Sequence, residues 1–184
     1  LEQGRAVKEL VIIDSGGANI ASLVYALERL GCAAHVSGDP DEIGAAARVI
    51  LPGVGAAADA MTRLRAHGLV ELIPRLTQPV LGICLGMQLL FECSEEGDTP
   101  CLGGWNSLRD LSPHPLLAGI EAGDYAYFVH SYHAPVGPYT LARCEYGVEF
   151  SAAVGRGNFL ATQFHPERSA AVGARILANF LDIT

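Results

Sequence analysis

The 184-residue chain is apolar and acidic, and both properties limit what it can be. Half of its residues are hydrophobic and 17% are charged, against ~25% charged in an average soluble protein. This composition favours an apolar sheet covered by helices and argues against disorder. The net charge is −8 and Lys8 is the only lysine, so no basic face is predicted for nucleic acid or an anionic membrane. No stretch reaches the ~18 apolar residues of a membrane-spanning helix.

The cysteines predict free thiols. Their number is odd and no C-x-x-C pair occurs, which argues against a disulfide framework and a structural zinc site. We therefore expect a reducing, cytoplasmic environment. The five cysteines are Cys32, Cys84, Cys93, Cys101 and Cys144.

Strand and helix patterns alternate over the first half of the chain. Strands are predicted at residues 10–13, 33–36, 49–51 and 80–83, with helices at 20–30, from Pro40, at 56–66 and at 69–76. Such alternation predicts right-handed crossovers and a parallel sheet, whose sites lie at the carboxyl ends of the strands. Glycine-rich turns follow three of these strands, at Gly16 and Gly17, at Gly53 and Gly55, and around Cys84. Their common edge is the expected site.

The second half predicts antiparallel additions to this sheet. The segments are residues 125–129, 139–144 and 159–163, and a last helix covers 170–181. The expected fold is α/β, with a mainly parallel open sheet flanked by helices in a flavodoxin-like, three-layer arrangement. No linker or repeat divides the sequence, so residues 1–184 are predicted to form a single domain. Residues 1–8 are expected to be disordered or to derive from cloning.

Cys84 is the candidate nucleophile. It lies in Gly82-Ile83-Cys84-Leu85-Gly86, where glycines allow a sharp turn from strand to helix. The sulfur would then lie at a helix N-terminus, which favours the thiolate. The backbone N–H of Leu85 would point to where an oxyanion forms. A glycine-flanked strand end without function remains the alternative on this segment alone.

His165 and Glu167 form the second candidate element. An apolar strand leads into Gln163-Phe164-His165-Pro166-Glu167 and so brings the imidazole to the edge where Cys84 lies. His165 can take the thiol proton and return it to the leaving amine, while Glu167 orients the ring. Three other histidines are interpreted as structural: His35, His67 and His114.

These two motifs, extended through Met87 and Gln88, resemble those of the triad-type, class I glutamine amidotransferases. Further segments are similar to the glutaminase subunits of imidazole glycerol phosphate synthase, a member of that family in histidine biosynthesis. Those segments are residues 52–55, 104–106, 127–132 and 166–169. The similarity extends over about residues 11–181. It implies a γ-glutamyl thioester on Cys84, and no metal or organic cofactor.

The resemblance also implies binding roles. Backbone N–H groups of Leu85 and of Gly53 or Val54 would bind the oxyanion. The amino-acid end of L-glutamine would be held by residues on two segments: Gln88, His130, Ser131 and Tyr132. Ammonia would pass to a cyclase partner, a TIM barrel in this family, which makes imidazole glycerol phosphate and an aminoimidazole carboxamide ribotide. The partner is expected to dock over Asn19, Trp105, Tyr127, Tyr132 and Arg168.

Two alternatives stay open on the sequence. One is the glutaminase subunit of another synthase, such as that for pyridoxal phosphate, against which Trp105, Tyr132 and Arg168 argue. The other is a non-catalytic or redox-sensing relative, against which Glu167 and Gln88 argue. The chain also departs from the family pattern at two places. Ala18 stands where the family usually has glycine, and the sequence has about one strand and one loop fewer before Gly104.

Overall fold

The computed structural model describes residues 10–15, 20–91 and 102–184. The strands are β1 (Leu10–Ile13), β2 (Ala34–Ser37), β3 (Arg48–Gly53), β4 (Val80–Cys84), β5 (Leu102–Ser107), β6 (Tyr125–His130), β7 (Thr140–Tyr146), β8 (Val148–Arg156) and β9 (Phe159–Thr162). The helices are α1 (Ile20–Arg29), α2 (Pro40–Ala45), α3 (Ala57–Ala66), α4 (Leu69–Leu72), α5 (Leu85–Leu89) and α6 (Ala170–Asp182). In these residues, no helix has the length and apolar character to span a membrane.

A seven-stranded sheet in the order β2-β1-β3-β4-β9-β8-β7 forms the centre of the fold. Its first five strands are parallel. Alternate side chains of β1 face opposite sides: Leu10 and Ile12 pack in the cluster with α1 and α6, while Val11 and Ile13 pack in the cluster with α3 and α4. Because both faces are covered, the central strands are continuous apolar runs. The predicted α/β class is confirmed.

The predicted strand pairing of the second half was partly wrong. Strand β9 is parallel to β4 and antiparallel only to β8, because it is inserted between them. Strand β6 leaves the main sheet and pairs with β5 in a separate two-stranded antiparallel sheet. Neither β5 nor β8 was predicted. Strand β5 was not recognised because it contains Gly103 and Gly104, and glycine is a weak strand former.

The helix starts and stops follow local chemistry. Asp39 accepts a hydrogen bond from the Asp41 N–H at the start of α2, as its N-cap position predicts. After α1 the chain turns at Gly31, whose φ is +75°. Helix α4 ends at Leu72, earlier than predicted, and continues as a 3₁₀ turn that contains Pro74.

Candidate active site

Cys84 lies in a strained elbow between β4 and α5. Its φ of +54° and ψ of −110° are values that residues with a Cβ rarely adopt. The elbow is held by close backbone packing. A Cβ on Gly86 would lie 1.8 Å from the Leu51 carbonyl oxygen, and one on Gly82 would lie 2.8 Å from the Gly86 carbonyl oxygen. Both glycines are therefore required for the turn that projects the sulfur.

The sulfur of Cys84 is buried among polar partners. The residue is 5% exposed, and its thiol donates to the carbonyl oxygen of Val129 at 3.5 Å. The amide nitrogen of Gln163 donates to the same sulfur at 3.8 Å. Because α5 begins at the next residue, the sulfur also lies beside a helix N-terminus, although this helix is short.

His165 and Glu167 lie at the end of β9, as the sequence predicted. His165 Nδ1 hydrogen-bonds Glu167 Oε1 at 2.8 Å, and both side chains are less than 10% exposed. Burial lowers the pKa of His165, but hydrogen bonds and negative charge from Cys84 and Glu167 outweigh it and raise the pKa to about 10. A protonated imidazole beside Cys84 is the counter-ion that a thiolate needs.

The candidate oxyanion residues converge on the elbow. Gly53 is the register partner of Cys84 across β3 and β4. A Cβ on Gly53 would lie 2.9 Å from Leu85 Cβ and 3.1 Å from the Gly86 nitrogen. Val54, which is partly exposed, follows directly. A cavity opens here, lined by Leu23, Pro52, Gly53, Val54, Ile83, His165 and Glu167.

The candidate substrate residues are joined by hydrogen bonds. Gln88 Nε2 donates to the Tyr132 carbonyl oxygen at 2.9 Å, and the His130 Nδ1 atom lies 2.8 Å from the same oxygen. A carbonyl oxygen only accepts, so this histidine carries its proton on Nδ1. Ser131, which lies between His130 and Tyr132 in the sequence, is half-buried. The two predicted segments are thus in direct contact.

His130 is buried as a neutral ring. Burial is the main cause that lowers its pKa to about 4. Its hydrogen bond to Tyr132 acts in the opposite direction, while His133 and His165 add repulsion. The His130 Nε2 atom is buried and has no hydrogen-bond partner among the described residues. The ring packs against Phe150, with centroids 5.1 Å apart.

Three predicted partner-facing residues form one surface. The Trp105 ring packs edge-on against Tyr127 at 5.9 Å, and the Arg168 guanidinium lies over Tyr127 at 4.7 Å. Trp105 is 51% exposed, so it is not a core residue. Asn19, predicted for the same surface, lies outside the described residues.

Sequence reasoning missed the contact between Gln163 and Cys84. The motif predicts no role for Gln163, although the residue is fully buried and a buried glutamine needs polar partners. The signal available was its position: an amide in an apolar strand end, two residues before the candidate base. In the described part of the chain, no group of three His, Cys, Asp or Glu side chains is placed to hold a metal.

The class of protein follows from this geometry and from comparison with known proteins. A buried cysteine on an elbow, a histidine beside it and a carboxylate behind the histidine have the arrangement of a hydrolytic triad. The model of the family "Glutamine amidotransferase class-I" matches residues 11–183. The chain therefore belongs to the class I glutamine amidotransferases.

Curated relatives narrow the comparison within this family. Imidazole glycerol phosphate synthase subunit HisH of Shewanella oneidensis is 50% identical over 210 residues, covering 94% of this chain and 95% of the relative. HisH of Xanthomonas campestris pv. campestris is 51% identical, covering 96% of this chain and 98% of the relative. The first alignment is longer than this chain, so that relative holds residues without a counterpart here.

The fold is shared with more distant proteins. A structure of PurLQS from Thermotoga maritima superposes with a TM-score of 0.76 at 19% sequence identity. The superposition covers 95% of this chain and 97% of that chain. At this identity the likeness shows the fold alone.

Proposed function

We propose that the chain is the glutaminase subunit of an imidazole glycerol phosphate synthase, which hydrolyses glutamine and supplies ammonia to a cyclase subunit. The observation that carries the proposal is the buried arrangement of Cys84, His165 and Glu167 on the elbow. It occurs in a chain about half identical to HisH subunits over nearly their whole length. As part of the proposal, the chain acts as one amidotransferase domain in the cytoplasm, where thiols stay reduced.

The first half-reaction forms the thioester. His165 takes the proton from the Cys84 thiol at its Nε2 atom, since its Nδ1 atom is bonded to Glu167. The thiolate attacks the carboxamide carbon of glutamine and pushes the carbonyl electrons onto oxygen. Backbone N–H groups of Leu85 and of Gly53 or Val54 bind the resulting oxyanion, which the close approach of Gly53 to α5 supports.

The second half-reaction releases the products. The protonated His165 gives its proton to the amine as the carbon–nitrogen bond breaks, and ammonia leaves. The same ring then takes a proton from water as the water attacks the thioester. When the carbon–sulfur bond breaks, glutamate is freed and the ring returns the proton to the Cys84 sulfur. The charge of Glu167, buried beside the ring, stabilises the imidazolium that forms in both halves.

Substrate contacts are assigned to the segments that meet beside the sulfur. Gln88 and the backbone of His130, Ser131 and Tyr132 hold the amino-acid end of glutamine. Their mutual hydrogen bonds support this assignment, because a preorganised polar segment loses less entropy when it binds substrate.

The cyclase partner is a TIM barrel in this proposal. It docks over the surface of Trp105, Tyr127 and Arg168, and converts the ammonia into imidazole glycerol phosphate and an aminoimidazole carboxamide ribotide. Exposed aromatic rings stacked with an arginine support this placement, since such residues anchor interfaces. Docking at this face keeps ammonia out of bulk water, where it would be protonated.

The test separates production of ammonia from its use. Cys84→Ala should abolish glutamine-dependent synthesis by the complex, because only a thiolate here can form the acyl intermediate. Synthesis from an ammonium salt at elevated pH should continue, because it needs no group of the triad. Glutamate release and product formation are measured on complexes verified by gel filtration.

A matched control removes a different thiol. Cys32→Ala replaces a half-buried cysteine in the connection between α1 and β2 and should retain glutamine-dependent synthesis. If Cys84→Ala released glutamate at the parent rate, the catalytic assignment and the proposed function would both fail.

A further inference from the structure

We propose that Gln163 is a catalytic residue whose side-chain amide donates an N–H to the Cys84 sulfur and stabilises it as a thiolate. The inference deepens the proposed function and rests on it, because the thiolate is the nucleophile there. Gln163 Nε2 lies 3.8 Å from Cys84 Sγ, within reach for a hydrogen bond to the large sulfur atom. The residue is 0% exposed, so water does not compete for the amide.

The direction of this hydrogen bond is fixed by the network behind it. The Tyr132 carbonyl oxygen can only accept, so the amide of Gln88 must turn its nitrogen towards it, at 2.9 Å. The same nitrogen lies 3.4 Å from the Gln163 side chain and so faces the oxygen of that amide. Gln163 therefore turns its own nitrogen towards Cys84.

The backbone leaves Gln163 little freedom to turn elsewhere. Its N–H donates to the Ala152 carbonyl oxygen at 2.9 Å, which continues the pairing of β8 beyond the end of β9. The next residue, Phe164, is fully buried. The backbone is thus fixed on both sides of the Gln163 Cα. Together with the contact between its side chain and Gln88, this preorganises the amide towards the sulfur before any substrate arrives.

An N–H donor at the sulfur favours the charged state of the nucleophile. As a thiol, Cys84 donates its proton to the Val129 carbonyl oxygen. Once His165 has removed that proton, the sulfur can only accept. A hydrogen bond to an ionised acceptor is roughly twice as strong as one between neutral groups. Gln163 therefore stabilises the thiolate more than the thiol, and stabilises it again when the thioester is hydrolysed.

The experiment compares two glutamines that undergo the same change. Gln163→Met keeps the length of the side chain but removes the donor. The control is Gln78→Met, because the Gln78 amide is bonded to the Ile43 carbonyl oxygen, away from the elbow. For each protein in complex with the cyclase, glutamine turnover is measured. Alkylation of Cys84 by iodoacetamide is measured in parallel and identified by peptide mass mapping.

Gln163→Met should slow alkylation of Cys84 about 10-fold and lower kcat by about 10- to 100-fold, with KM changed by less than about 3-fold. Gln78→Met should change none of these. Gln163→Asn retracts the amide by one methylene group and should reproduce the loss. It provides the test if the methionine variant does not fold, as judged by thermal unfolding.

The alkylation rate of Cys84 tests the inference independently of glutamine turnover. If Cys84 in a folded Gln163 variant were alkylated within about 2-fold of the parent rate, the proposed hydrogen bond would have no effect on the thiolate and the inference would be overturned. Failure of the parent complex to hydrolyse glutamine would instead refute the proposed function.

Discussion

Two regions of the molecule meet at the candidate site and are held together by different means. The elbow of β3, β4 and α5 depends on backbone packing: the Leu51 carbonyl oxygen lies where a Cβ of Gly86 would be. Its strands are completely buried. No side chain larger than hydrogen fits at this contact, and the position of Cys84 follows from it.

The sheet of β5 and β6, here called the aromatic sheet, is held in place by side-chain packing instead. Trp105 and Tyr127 pack edge to face on its outer side, and Phe128 packs against Phe150 on its inner side. Backbone space is open here, since the nearest atoms to a Cβ on Gly103 would lie 3.9 Å away. This sheet carries the Val129 carbonyl oxygen and His130 to the elbow.

The difference indicates a division of tasks. In the proposed function, the close packing of the elbow fixes the position of the reacting atoms, which catalysis needs. In the same proposal, the aromatic sheet offers a surface to the partner and holds the substrate segment, and we expect its packing to tolerate change. We therefore expect substitutions in the elbow to affect folding and chemistry, and substitutions in the aromatic sheet to affect association and pH response.

The sharpest test adds one methyl group to each region. Gly86→Ala places a Cβ 1.8 Å from the Leu51 carbonyl oxygen, so the elbow must shift. We expect a loss of more than about 3 kcal/mol in the free energy of unfolding. Gly103→Ala meets no such obstacle and should change stability by less than about 0.5 kcal/mol. Urea unfolding monitored by circular dichroism measures both.

Equal losses for the two alanine variants would break the comparison. They would mean that β5 is as tightly constrained as the elbow. Loss of expression of Gly86→Ala alone, with Gly103→Ala behaving as the parent, would agree with the expected order.

The same contrast explains what the sequence could predict. The elbow was predictable because Gly82, Cys84 and Gly86 are neighbours in sequence, and local sterics determine their geometry. The bond between His165 and Glu167 is likewise set by a spacing of two residues. The pairing of β5 with β6 was missed, because it depends on contacts between Trp105 and Tyr127, which are distant in the sequence.

The hydrogen-bond network of Gln163 was missed for a related reason. It joins β9 to α5 and to the segment after β6, and only the folded chain brings these elements together. The predicted role of Gln88 as a substrate residue stays a prediction. Its hydrogen bond with the Tyr132 carbonyl oxygen is a contact that no spacing in the sequence indicates.

Reversing one charge tests the partner-facing surface. Arg168→Glu removes the cation from the face of Tyr127 and should weaken the complex with the cyclase about 30-fold, or about 2 kcal/mol. The control is Arg156→Glu, because Arg156 lies over Tyr139 at 5.0 Å in a similar contact elsewhere. Isothermal titration calorimetry measures both affinities.

Affinities reduced equally by the two substitutions would show a general effect of charge and not a defined interface. Unchanged association of Arg168→Glu would remove Arg168 from the docking surface. Loss of affinity in that variant alone would locate the partner over the aromatic sheet.

The smallest effect is expected from the pH response of His130. Burial lowers its pKa to about 4, whereas an unfolded histidine titrates near ~6.5. Between these values the unfolded chain binds a proton that the folded chain does not, so stability is present above pH ~6.5 and is lost as pH falls towards 4. At pH 5.5 the loss amounts to about 1 kcal/mol.

His130→Asn isolates this contribution. Its side-chain amide can still donate to the Tyr132 carbonyl oxygen, but it does not titrate. Between pH 7.5 and 5.5 the parent should therefore lose about 1 kcal/mol more unfolding free energy than the variant. His67→Asn replaces an exposed histidine and controls for the loss of a histidine. The unfolding free energy of this variant should fall as much as that of the parent. If the unfolding free energy of His130→Asn fell with decreasing pH as steeply as that of the parent, the acid sensitivity would lie outside the aromatic sheet, since the buried ring would then contribute nothing to it.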